Sequence, residues 1–129
     1  MFLLGLAAMA AATTTPDRLY ACGDNQVREL QIIGDRATES WRWTASEATD
    51  LPADYRAELL AHIDDCKPVD DGRNLLVTAS TGGTVLIDRT TGKVLFRART
   101  PMAHSAALLP GGLVAVALSI HLAGDRLEL

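Results

Sequence analysis

Two histidines and a pair of carboxylates carry the most suggestive chemistry in this chain. His62 opens the segment His62-Ile63-Asp64-Asp65, and His104 stands in Ala103-His104-Ser105, about 40 residues further on. Each histidine follows an alanine and leads into a strand-like run. Imidazole nitrogens and carboxylate oxygens suit a transition metal or general acid–base work. If the two segments are equivalent parts of a repeat, both histidines start neighbouring strands at similar height. Side chains alternate along a strand, so Asp64 would share the face of His62 while Asp65 faces away. The candidate ligand-binding set is therefore His62, Asp64 and His104, with Asp65 as its internal control. The competing expectation is that both imidazoles hydrogen-bond the backbone of loops. No catalytic residue, resident metal or cofactor is assigned.

The other chemistry-bearing residues point to structure. His121 falls in a turn after a strand and is expected in solvent. Trp41 and Trp43 could stack on sugar rings, but packing against a neighbouring sheet fits better, because Phe96 stands at a matching place. Asp88 and Asp125 read as turn or edge residues. Ser80 and Ser119 lie in apolar runs without the glycine-flanked elbow of a serine nucleophile. Phosphate-loop, dinucleotide and calcium-loop patterns do not occur. The chain holds two cysteines, Cys22 and Cys66. An even count permits a disulfide in an exported protein, and burial as two small apolar side chains is the expectation set beside it. Two cysteines alone do not make a tetrahedral zinc site, and their spacing is not that of a redox CxxC pair.

The elements that must position these groups are short strands. Asn74–Ser80, Thr84–Arg89 and Val94–Arg99 are β-rich runs, joined by Thr81-Gly82-Gly83 and by Thr90-Thr91-Gly92-Lys93. Turn residues between such runs are a hairpin signal. Cys66–Val69 adds a strand in front. Leu19–Gly23, Gln26–Ile32 and Ala37–Ser46 repeat the strand–turn order, with Trp41 and Trp43 on one face of the third run. Ser105–Leu109, Leu113–Ser119 and Arg126–Leu129 begin a further copy. Between Glu47 and Leu60 the pattern breaks. Leu51, Tyr55, Leu59 and Leu60 predict one or two helical turns from about Ala53 to Ala61, capped by Asp50 with Pro52 in the first turn. The expected fold is thus all-β, a series of consecutive four-stranded antiparallel meanders with a short helical insertion. A four-stranded unit every ~40–50 residues is the period of a β-propeller blade. About two and a half such units fit, where a closed ring needs about 4–8. A partial β-propeller over residues 17–129 has open sheet edges suited to self-association.

The run Gly83-Thr84-Val85-Leu86-Ile87-Asp88-Arg89-Thr90-Thr91-Gly92-Lys93-Val94-Leu95-Phe96 resembles the repeat of PQQ-type, quinoprotein-like propellers. That repeat is a glycine, a hydrophobic strand ending in Asp, a Thr-Gly-Lys turn and a second strand ending in Trp. Phe96 takes the place of the Trp here, and Trp41 or Trp43 holds it in the preceding unit. The segments of His62 and His104 are also similar to propellers of the arylsulfotransferase type. The resemblance implies a propeller and leaves two functions open. One is a noncatalytic binding module for a protein or glycan. The other is a fragment of a quinoprotein- or arylsulfotransferase-like enzyme with the histidines in its site.

Composition narrows the partners. The 129 residues suit one domain, and 16 acidic against 12 basic residues leave a net charge of −4. Nonspecific nucleic-acid binding needs a basic face, which this balance opposes. An aromatic content of 5% also offers little base stacking. Met1–Ala12, MFLLGLAAMAAA, is apolar and uncharged, and Thr13-Thr14-Thr15-Pro16 follows. An apolar run of that length ending in small residues resembles a secretory signal cleaved near Ala12, although it lacks a positive start. It is too short for a spanning helix, which needs about 20 residues. The expectation is an exported protein, periplasmic or extracellular, with no integral span in the mature chain.

Overall fold

The computed structural model describes residues 17–118, 121–123 and 126–128. The signal-like segment and its cleavage near Ala12 lie outside the described residues, as do Ser119 and Asp125.

The fold is all-β and antiparallel. Strands β1 (Asp17–Gly23), β2 (Gln26–Ile33) and β3 (Arg36–Thr44) form the first sheet, in the order β1-β2-β3. Strands β4 (Ile63–Val69), β5 (Asn74–Ala79), β6 (Gly83–Asp88) and β7 (Val94–Arg99) form the second, in the order β4-β5-β6-β7. Strands β8 (Ala103–Leu109) and β9 (Leu113–Leu118) make a two-stranded sheet, and β10 (His121–Ala123) pairs with β11 (Arg126–Glu128). Among the described residues one sheet has the expected four strands, and the expected turn at His121 is a strand. No helix among them is long and apolar enough to cross a membrane.

Every sheet is a meander because the connections are too short for anything else. Gly23 pairs with Gln26 across a two-residue turn, in which Asp24 takes a φ of 49°. Such turns favour Asp, Asn and Gly, which tolerate a left-handed backbone. At the β6–β7 turn, the Asp88 carboxylate accepts the backbone N–H of Thr90 at 2.8 Å and of Thr91 at 3.2 Å. Asp88 is a turn residue, as its type suggests.

The first and second sheets share a bulge. Pairing shifts between Glu29 and Leu30, just after Glu29 meets Trp41. It shifts again between Leu86 and Ile87, just after Leu86 meets Phe96. The bulge therefore aligns β2-β3 with β6-β7, Trp41 with Phe96, and Glu29 with Leu86. The connection out of each sheet matches too. Ala45 N–H bonds the Asn25 carbonyl at 2.8 Å, and Thr100 N–H bonds the Gly82 carbonyl at 2.8 Å.

The core lies between the first two sheets. Tyr20, Cys22, Val27, Glu29, Trp41 and Trp43 lie on one face of the first by alternation and register. Leu75, Val77, Val85 and Ile87 of the second complete the cluster with Val27 and Trp43. β1 packs on β4, and β5 and β4 both pack on β8. The expected helical segment spans residues 53–59 and ends in a five-residue π-type turn, Tyr55–Leu59; a single 3-10 turn, Ala45–Glu47, precedes it. Within it the Asp54 carboxylate accepts the Tyr55 N–H at 3.0 Å. Asp50, the expected cap, instead accepts the Val94 N–H at 2.7 Å and ties the insertion to β7. Ala48, Leu51, Tyr55 and Leu60 from this insertion are buried in the core.

Candidate functional site

The two strands expected to carry the site each contain a bulge. In β4 the pairing to β5 shifts between Ile63 and Asp65, leaving Asp64 as the extra residue. In β8 the pairing to β9 shifts between Ala103 and Ser105, leaving His104 as the extra residue. An extra residue resets the alternation of side chains beyond it. Asp64 and His104 are therefore equivalent, and so are Asp65 and Ser105. His62 lies before β4, two residues ahead of the position that matches His104. The expected equivalence of the two histidines is corrected to this register.

The same bulge reverses the roles expected of the two aspartates. Ser105 Oγ donates to Asp65 Oδ2 at 2.7 Å. Lys67 Nζ donates to Ser105 Oγ at 2.9 Å and stands 3.0 Å from Asp65 Oδ2. Asp65, expected to face away, joins β4 to β8. Asp64 is exposed, and its Oδ2 accepts the Ser80 N–H at 3.1 Å. His62 and His104 are both exposed. The His62 backbone N–H donates to Thr81 Oγ1 at 3.1 Å, and its carbonyl accepts the Ser80 N–H at 3.1 Å. Among the described residues no three His, Cys, Asp or Glu side chains are grouped as a metal would need.

Asp65, Lys67 and Ser105 thus form the cluster that the site can be built on. Lys67 and Ser105 line an open cleft of about 320 Å³ whose other walls include Ala107, Ala115 and Ala117. Small side chains leave the hydroxyl and the ammonium reachable. Chemically the cluster offers one carboxylate, one ammonium and one hydroxyl within hydrogen-bond reach of each other. The Ser105 hydroxyl thus accepts from Lys67 and donates to Asp65. Sequence reasoning missed Lys67 and Ser105. The available signal was Asp65-x-Lys67, two charges at the two-residue spacing that shares a strand face.

A second polar cluster is buried and structural. Glu29 is fully buried. Arg89 donates to its two oxygens from Nε and Nη2, each at 2.6 Å. Tyr20 Oη donates at 2.5 Å, and Ser40 Oγ at 2.8 Å. The Arg89 guanidinium, against the opposing cost of burial, brings the Glu29 pKa down to about 2. Burial and the neighbouring carboxylate raise the Tyr20 phenol. Trp43, expected as a packing residue, is buried, and its Nε1–H donates to the Gly92 carbonyl at 3.2 Å. The Thr-Thr-Gly-Lys turn is therefore clamped to the first sheet by Trp43 and Arg89 together.

The two cysteines meet across the same interface. Both are free and half-buried, and both pack against the core cluster between the first two sheets. Burial raises both thiols above the ordinary range, Cys66 more strongly.

The profile of a family described as a family of unknown function, DUF6528, matches residues 7–123. No curated protein and no solved structure matches the chain. On a match of that extent, the chain belongs to this family.

Proposed function

We propose that this member of the DUF6528 family is an exported partial β-propeller that acts as a noncatalytic binding module for a protein or glycan. The observation that carries the reading is the Asp65–Ser105–Lys67 cluster, which bridges β4 and β8 beside an open cleft. In this reading each sheet is a blade, and β4 and β8 are the innermost strands of neighbouring blades. Support for the blade repeat comes from the shared bulges and from the parallel packing of β1 on β4 and β5 on β8. The PQQ-type pattern of Gly83–Phe96 adds to it.

A half-buried ammonium, hydroxyl and carboxylate would engage the hydroxyl or amide groups of a polar ligand. The enzymatic alternative needs His62 and His104 to serve one centre, and the offset between them favours binding over catalysis. Leu109 and Leu113 are exposed at the β8–β9 turn, an apolar edge suited to self-association.

The test is a glycan array with parallel protein-interaction titration, run on the wild-type chain and on Lys67→Ala and Asp65→Asn. The reading expects a ligand whose affinity falls about tenfold or more in both variants. A ligand bound equally by all three removes the cleft from the site. Turnover of an aryl sulfate, or quinone-dependent oxidation of an alcohol, lost on replacing His62 and His104, would favour the enzyme.

A further inference from the structure

We infer that Cys22 and Cys66 form a reversible disulfide that locks the first sheet to the second under oxidising conditions. The inference does not depend on the ligand proposed above. It rests on three observations. The chain has two cysteines in all, one on each of the first two sheets. Cys22 lies on β1 opposite Val27, Cys66 lies on β4 opposite Val77, and those strands pack directly on each other. Both side chains pack against the same core cluster between the two sheets, and each thiol shifts the pKa of the other.

The pair can also be approached from one side. Cys66 lines an open cleft of about 600 Å³ beside Leu19, Tyr20 and Pro68. This cleft has room for a small organic disulfide. The pairing is confined to this interface. Cys66 matches Ala106 on β8 by the bulge register, so the interface of the second sheet with β8 has no such thiol.

The oxidant is a low-molecular-weight disulfide such as oxidised glutathione, and the chemistry is thiol–disulfide exchange. One cysteine loses its proton and its sulfur attacks the small disulfide. A mixed disulfide forms and one small thiolate leaves. The second cysteine then loses its proton and attacks the protein sulfur of the mixed disulfide, and the second small thiolate leaves. Two electrons pass from the cysteine pair to the oxidant. One S–S bond breaks, one forms, and the two released thiolates take up the two protons. The bridge closes a loop of roughly 45 residues that contains the whole insertion, which constrains the unfolded chain.

The test uses the folded chain at low concentration, incubated with oxidised glutathione and mapped by mass spectrometry without reduction. The expected result is a peptide containing Cys22 joined to one containing Cys66 in the monomer, lighter by two hydrogens than the reduced pair. The thermal midpoint should rise by about 5–15 °C and return on adding dithiothreitol. The Cys22→Ala/Cys66→Ala variant should show no redox-dependent shift. Two thiols still open to alkylation after incubation, glutathione adducts alone, or linkage only between chains would each overturn the inference. Mapping the wild-type chain decides this even if the double variant fails to fold.

Discussion

Glu29 and Arg89 stand 60 residues apart in the chain and meet across two sheets through two hydrogen bonds of 2.6 Å. Glu29 has no exposure, while a quarter of the Arg89 side chain is open to solvent. The pair holds the β6–β7 turn onto the first sheet. Removing one partner leaves the other uncompensated, which for a buried pair costs about 3–5 kcal/mol. Glu29→Leu should fall at the low end, about 3 kcal/mol, because the freed guanidinium can turn to water. Leu86 occupies the corresponding place in the second sheet, so an apolar side chain fits this geometry. The double change Glu29→Leu/Arg89→Leu should therefore recover much of the loss. Urea denaturation of the three variants checks this. A double variant as unstable as the sum of the singles would contradict it.

Acid should weaken the fold through the same carboxylate. Glu29 has a pKa lowered from the ordinary 4.5 to about 2, first by the Arg89 bonds. Its contribution to stability is complete above about pH 4.5 and is lost as pH falls toward 2. A depression of that size corresponds to a few kcal/mol. Denaturation midpoints followed from about pH 6 to pH 2 should drop more steeply in wild type than in Glu29→Gln. Parallel curves would show that Glu29 titrates normally in the folded chain.

Trp43 links the sheets by a hydrogen bond as well as by its ring. Trp43→Phe keeps an aromatic ring and loses the donor to the Gly92 carbonyl, which should cost about 1 kcal/mol. Trp43→Ala also empties the core beneath the insertion and should cost about 3–5 kcal/mol. Equal losses for the two would mean that the hydrogen bond dominates.

At Gly83 the insertion lies close against the second sheet. A Cβ there would lie 2.9 Å from the Leu59 carbonyl oxygen and 2.9 Å from Leu60 Cδ2. Gly83→Ala should push the insertion off β6 at a cost of about 1–3 kcal/mol. Hydrogen exchange should speed up over Tyr55–Leu60 and little elsewhere. Uniform acceleration over all strands would show a global loss instead.

The insertion carries a second attachment that its sequence does not announce. Asp54 pairs with Arg99, and the Tyr55 ring lies beneath the Arg97 and Arg99 guanidinium carbons at 5.9 and 5.6 Å. Arg99 is largely exposed, so Arg99→Ala should cost less than about 1 kcal/mol in total. A larger loss would make this contact part of the core.

Most strands and turns followed from the sequence alone, the strand at His121–Ala123 being an exception. Runs such as Asn74–Ala79 and Val94–Arg99 have β-branched and apolar residues bounded by turn formers, and those preferences act within a few residues. The same local chemistry marked Asp88 as a turn residue. What the sequence could not decide was every relationship that crosses sheets or depends on register. A bulge costs one residue and leaves no clear local mark, yet the one at Asp64 changes which aspartate faces Ser105. Glu29 sits in an otherwise apolar face, and only Arg89, far along the chain, explains how its charge is tolerated. Asp50 reads as the cap of the insertion, but the Val94 N–H of β7 claims its carboxylate. Cys22 and Cys66 could be read from sequence as a disulfide or as two buried side chains, and the packing of β1 on β4 is what places both at one interface. Local preferences are encoded by neighbours in sequence, whereas these partners are chosen by packing between sheets.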